Sequence, residues 1–266
     1  MSNDPQKDSP VYVAGEREAV QGVIGQDASS DAAIRVRGLR KSFGRTAVLR
    51  KLDLDVLQGE FIAIYGPNGS GKTTFVKILA TLARADAGDI YVAGYRLPSD
   101  AQKVRGAIGV VTHSPLLYDD LTAYENLKFY GQMFGLADID QSVHEVVERL
   151  GLTDRLHQKV GTLSHGLRKR FSIARALLHN PSILLMDEPE SGLDQAALER
   201  LEEVLRFPAG PRTTLLMTTH SVEWGLSMTD RVAILSRGQI AFSEPSADLD
   251  VNGFRRTYQE KTGDRL

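Results

Sequence analysis

Apolar and polar residues partly alternate along Val48-Leu49-Arg50-Lys51-Leu52-Asp53-Leu54-Asp55-Val56, the period of a strand with one face in a core. Ala33-Ile34-Arg35-Val36-Arg37 reads the same way and marks where order is expected to begin. Other runs are short and largely apolar: Phe61–Tyr65, Ile108–Val111, Ile183–Met186, Thr213–Met217 and Val232–Leu235. Such runs predict strands buried on both faces. Elsewhere the period changes to that of a helix. Phe75, Val76, Ile78, Leu79 and Leu82 share one helical face after residue 73. Thr122-Ala123-Tyr124-Glu125 is a capping box opening a helix that carries Leu127, Tyr130 and Phe134. Another carries Val143, Val146, Val147 and Leu150 and is stopped by Gly151. A third follows Leu163-Ser164-His165-Gly166, with Leu167, Phe171, Ala174 and Leu178 on one face. Strands alternating with helices predict an α/β fold built on a mainly parallel sheet, with a helical block inserted at about residues 114–180.

Composition narrows this picture without changing it. The chain has 266 residues, 42% hydrophobic and 25% charged, ordinary values for a globular protein with a sizeable core. With 32 basic against 34 acidic residues, the net charge is −2. That balance argues against a dedicated nucleic-acid binder, which carries a basic excess or stripe. There is no cysteine, so disulfides, thiolate metal sites and thiol nucleophiles are excluded. No apolar run approaches the ~18–20 residues needed to cross a bilayer, and Met1–Asp8 is polar, unlike a signal peptide. A membrane role would therefore come through a partner. Residues 1–33 are rich in Asp, Ser, Gly, Gln and Ala and predict a disordered tail, with Val11-Tyr12-Val13 as a possible strand. Residues 246–266 are expected as a C-terminal tail around a domain at 34–245.

Candidate chemistry sits at the joints between elements. Gly66-Pro67-Asn68-Gly69-Ser70-Gly71-Lys72-Thr73 fits the phosphate-loop pattern G-x-x-x-x-G-K-[ST], in the strand–loop–helix setting the pattern requires. Glycines let successive N–H groups turn inward around phosphate oxygens, at a helix N-terminus whose dipole favours negative charge. Lys72 is expected to reach the β- and γ-phosphates, and the Thr73 hydroxyl to ligate Mg²⁺. The run Ile183–Met186 ends in Asp187, followed by Glu188. Following a phosphate loop, Asp187 is expected beside Thr73 as a holder of Mg²⁺, and Glu188 as the group that polarises the attacking water. His220, after Leu215–Thr219, lies at the carboxyl end of a strand, where such sheets bind ligands. Its expected contacts are the γ-phosphate and the water. Ser164 and Gly166 open a helix in a second anion-binding arrangement. The basic run Arg168-Lys169-Arg170 is expected to be a solvated helix face.

Taken in order, GPNGSGKT, LSHGLRKR, ILLMDEP, SGLD and His220 resemble the ATP-binding subunit of ABC transporters over roughly residues 34–245. The resemblance implies a P-loop NTPase of the ABC ATPase type, with an N-terminal antiparallel β part and an inserted helical subdomain. It implies ATP and Mg²⁺ as ligands, with Gly66–Thr73 and Thr74 around the phosphates and Phe43 stacking on adenine. It makes Ser164, His165 and Gly166 the signature motif, acting on ATP held by a second copy, and places Asp194 in the D-loop. Two departures stand out. His165 and Leu167 replace the glycine and glutamine of LSGGQ, and His113 stands where the family has the Q-loop glutamine, an expected metal or water contact. The segment Leu116–Gly131, with Val111-Thr112-His113 before it, looks like haem-exporter ATPases of the cytochrome c maturation type. The implied partners are an integral membrane permease, received on the helical insert at the cytoplasmic face of the membrane, and a second ATP-binding subunit. Alternatives are a soluble ABC ATPase of translation or DNA repair, or an exporter of drug, lipid or polysaccharide.

Overall fold

The computed structural model of the protein describes residues 31–208 and 212–266. The strand expected at Val11–Val13 and nearly all of the expected N-terminal tail lie outside the described residues, while Ala32 and Ala33 already belong to the first strand. That strand, β1 (Ala32–Phe43), pairs antiparallel with β2 (Thr46–Leu57). β3 (Phe61–Tyr65) leads to α1 (Lys72–Leu79), and β4 (Ala87–Val92) and β5 (Tyr95–Leu97) complete a small antiparallel sheet in the order β2-β1-β4-β5. α2 (Ala101–Ala107) and β6 (Ile108–Val111) precede the helical insert of α3 (Ala123–Phe134), α4 (Ile139–Arg149) and α5 (His165–Leu177). Then follow β7 (Ile183–Asp187), α6 (Gln195–Arg206), β8 (Thr214–Thr218), α7 (Val222–Met228), β9 (Arg231–Ser236), β10 (Gln239–Pro245) and α8 (Val251–Thr262).

The larger sheet has the order β10-β9-β3-β8-β7-β6, parallel from β9 to β6 with β10 antiparallel at its edge. The strands from β9 to β6 are largely buried on both faces, as their apolar runs predict, while β10 at the edge is exposed or half-buried. Phe61, Ala63 and Tyr65 of β3, Leu184 and Met186 of β7, and Val232 and Ile234 of β9 point into one core, shared with the insert, α6, α7 and α8. The alternate residues Ile62, Ile64, Ile183, Leu185, Ala233 and Leu235 point into a second core, shared with α1 and the antiparallel sheet.

Two expectations change. Leu82 is not on the buried face of α1 but 52% exposed. The helix stops at Leu79 because Thr81 turns left-handed (φ 62°), and the amides of Thr81 and Leu82 fold back onto Ile78 and Lys77 carbonyls. The stretch read as a C-terminal tail contains α8, which is held by Phe254 and Tyr258, one turn apart and both buried. Phe254 meets Tyr65 of β3 edge-on, with ring centroids 4.7 Å apart.

Candidate functional site

The loop from Gly66 to Gly71 is held where only glycine fits at two points. A Cβ on Gly66 would strike the Leu235 carbonyl and lie 2.7 Å from Ser70 Oγ; one on Gly71 would lie 2.7 Å from Leu49 Cδ2. Gly71, at φ 108°, is the N-cap of α1, and no side chain caps the helix or places an acid in its first turn. The leading N–H groups therefore have no side-chain acceptor. Lys72 is buried, with Nζ donating to Gly66 O at 2.6 Å and Pro67 O at 3.4 Å. Burial pushes its ammonium pKa down, while the charges of Glu188 and Asp187 oppose that shift. Ser70 Oγ is closed to solvent and has no hydrogen-bond partner among the described residues. An uncapped helix start, an orphaned hydroxyl and a buried cation all suit an anion. The cleft there, about 270 Å³, is lined by Phe43, Val48, the loop residues Pro67 to Thr74, and Glu188. Phe43 is 56% exposed, so a ring face is free for a base.

Strand order brings the acidic end to this cleft. β8 lies between β3 and β7, and Thr218 pairs with both Ile64 and Asp187. Thr218 Oγ1 donates to Asp187 Oδ1 at 2.6 Å, and Glu188 N donates to Thr218 O and Oγ1, both at 3.1 Å. Glu188 is left-handed, with φ 49°. A non-glycine residue in that region costs about 1–3 kcal/mol and persists where the surroundings impose it, often at functional sites. His220 Nε2 lies 2.9 Å from Glu188 Oε1, close enough for the imidazole to donate to the carboxylate. Asp187 is buried and Thr73 exposed. A carboxylate and a hydroxyl are oxygen donors of the kind Mg²⁺ takes beside phosphates; among the described residues no cluster of His, Cys, Asp or Glu forms a metal site by itself.

Beneath this pair lie residues that the motifs did not single out. The basic run is not a solvated face: Lys169 is buried, and Nζ donates to Glu188 O at 3.0 Å and Asp187 O at 3.4 Å. Arg170 donates to Leu150 O and Gly151 O, and Arg168 to Leu163 O. The signal was spacing, since Lys169 lies four residues before Ile173 and seven before Ala176, both buried on α5. Glu190 accepts hydrogen bonds from Thr219 Oγ1 and His220 N. Burial pushes its carboxyl pKa up and Glu188 adds to the shift, against those hydrogen bonds.

The signature-like residues sit elsewhere. Ser164 is the N-cap of α5, with Oγ accepting from Leu167 N at 3.3 Å. Gly166 is pressed on the next loop, where a Cβ would lie 2.8 Å from Gly192 O; a Cβ on Gly192 would lie 2.8 Å from His165 Nδ1. Asp194 caps α6, its Oδ1 accepting from Ala197 N at 2.8 Å. None of Ser164, His165, Gly166 and Asp194 lines the phosphate-loop cleft. Neither does His113, which lies exposed beyond the end of β6.

Comparison with known proteins agrees with this geometry. The family model described as ABC transporter matches residues 49–191. Over 232 residues the chain is 34% identical to YdbJ, an ABC transporter ATP-binding protein of Bacillus subtilis, covering 87% of this chain and 73% of that one. It is 32% identical to the linearmycin resistance ATP-binding protein LnrL of Bacillus subtilis (81% and 70% covered) and 38% identical to the Nod factor export ATP-binding protein I of Burkholderia lata (82% and 73% covered). Among solved structures, the dimeric ATP-binding cassette MJ0796 bound to ADP and Pi superposes with a TM-score of 0.74 at 26% identity, over 80% of this chain and 98% of that one. The chain therefore belongs to the ABC transporter family as one of its ATP-binding cassettes, which hydrolyse ATP to power transport.

Proposed function

We propose that the chain is the ATP-hydrolysing subunit of an exporter, working as a dimer beneath a separate membrane permease at the cytoplasmic face. The observation that carries the catalytic part is the contact between His220 and Glu188, which lines the phosphate-loop cleft. In this reading the base stacks on Phe43, while loop N–H groups and Lys72 hold the phosphates. Thr73 and Asp187 would hold Mg²⁺, which supplies positive charge for the phosphate oxygens. Glu188 orients a water and takes its proton as the oxygen attacks the γ-phosphorus and the bond to the β-phosphate oxygen breaks. His220 holds the Glu188 carboxylate in place through Nε2.

Ser164 and Gly166 of the same chain do not line the cleft, and the same residues of a second copy are the proposed cover. The dimeric relative with ADP and Pi supports that arrangement. Relatives named for Nod factor export and linearmycin resistance support export. Haem as cargo rests on Val111–His113 and Leu116–Gly131 alone, and none of the relatives named above is named for haem. A permease would be received on the helical insert, where Leu116, Tyr118, Phe129 and Met133 are exposed apolar residues.

The test pairs two variants. Glu188→Gln is expected to bind ATP and lose turnover, and Ser164→Arg to spare binding by the isolated chain and also lose turnover. Wild-type hydrolysis by the first removes Glu188 from its role; normal hydrolysis by the second, as a monomer, removes the shared site.

A further inference from the structure

Glu190 lies under the Glu188–His220 pair with a carboxylate the reaction above does not use. Its Oε1 accepts from the Thr219 hydroxyl and, at 3.3 Å, from the His220 backbone N–H. Thr219 Oγ1 accepts in turn from Ser221 N at 3.0 Å, and Ser221 is the N-cap of α7. One carboxylate oxygen thus anchors the chain on both sides of the His220 imidazole. The other, Oε2, is closed to solvent and has no hydrogen-bond partner among the described residues. A buried oxygen left unpaired costs stability, so Glu190 is a poor choice for packing alone. The buried ammonium of Lys169 offsets its charge from below while donating to the Glu188 carbonyl. His220 itself is exposed, so its ring is placed by the backbone that carries it rather than by close packing.

We propose that Glu190 is a positioning residue for ATP hydrolysis, holding His220 Nε2 at Glu188 Oε1 through Thr219 and the His220 N–H. The proposal rests on Glu188 and His220 being the hydrolytic pair. A misplacement of about 1 Å costs up to about 100-fold in rate, and Glu190 touches no substrate position, so its loss acts on kcat.

The experiment measures kcat, KM and affinity for a fluorescent ATP analogue, with thermal unfolding as a check on folding. Glu190→Ala is expected to lower kcat by about 10- to 100-fold with KM and analogue affinity little changed. Glu190→Gln keeps an accepting oxygen and is expected to recover most of that loss. Thr219→Val removes the donor at the other end, nearly without change of shape, and lowers kcat in the same direction even if Glu190→Ala does not fold. Because Glu190 acts through His220, Glu190→Ala combined with His220→Ala is expected to be no slower than His220→Ala alone. Additive losses, or a fall in nucleotide affinity matching the fall in kcat, would overturn the proposal. Glu188→Gln, run alongside, separates the two failures. If it turns over ATP, the hydrolytic pair is wrong; if it is inactive while Glu190→Ala or Thr219→Val runs at the wild-type rate, only the role of Glu190 is wrong.

Discussion

The imidazole of His179 stacks on Phe134, with centroids 3.7 Å apart and planes 8° from parallel, and Nε2 lies 3.1 Å from Ile108 O. Burial pushes its pKa down to about 4, against the hydrogen bond to Ile108. The unfolded chain, with histidine near its ordinary value, therefore binds a proton that the folded chain refuses between about pH 6.5 and about pH 4. Stability is expected to fall as pH drops through that window, by up to about 1.4 kcal/mol per pH unit. His179→Phe keeps a flat ring against Phe134 and takes up no proton. Denaturant unfolding at several pH values should show a flatter profile for the variant; equal slopes would show that His179 is not the group responsible. Single residues of this kind were poorly legible in sequence. His179 and Lys169 carry polar chemistry at positions whose burial depends on which strand lies beneath α5, and the basic run around Lys169 looks like a solvated face until Asp187 and Glu188 are placed under it.

Elements were legible where their signals are local. The capping box at Thr122 is present as read: Thr122 Oγ1 accepts from Glu125 N at 3.1 Å, and Glu125 Oε2 accepts from Thr122 N at 2.8 Å. Thr122→Ala is expected to cost about 1 kcal/mol of stability, read as a lower denaturant midpoint, with nucleotide affinity unchanged because α3 lies outside the phosphate-loop cleft. A midpoint equal to wild type would mean the box adds nothing. The buried strands were legible for a related reason, since both faces of the sheet from β9 to β6 are largely covered and most of their residues are apolar. β4, β5 and β10 were not read: β4 is largely exposed, β5 is three residues long, and β10 is a largely exposed edge strand whose existence depends on pairing with β9.

At the scale of the molecule, the cleft joins one chain's Phe43, phosphate loop and Glu188, while Ser164 and Gly166 lie outside it. If two copies close on ATP as proposed, slowing hydrolysis should trap the closed pair. Glu188→Gln with ATP is expected to elute as a dimer in size exclusion, and to return to monomer when ATP is removed or when Ser164→Arg is added. A single elution position under all these conditions would count against the shared site.

The sequence by itself determined the phosphate loop, the starts of α1, α3 and α5, and the buried strands. Each of these is written in consecutive residues, where backbone conformation and local hydrogen bonding are decided. Only the tertiary structure decided what stands opposite the loop. The order β3-β8-β7 sets Asp187 and Glu188 beside it, and His220 meets Glu188 across 32 residues of chain. Glu190 and Lys169 gain their partners by the same route. Such contacts depend on strand order and burial, and short-range patterning carries no record of either.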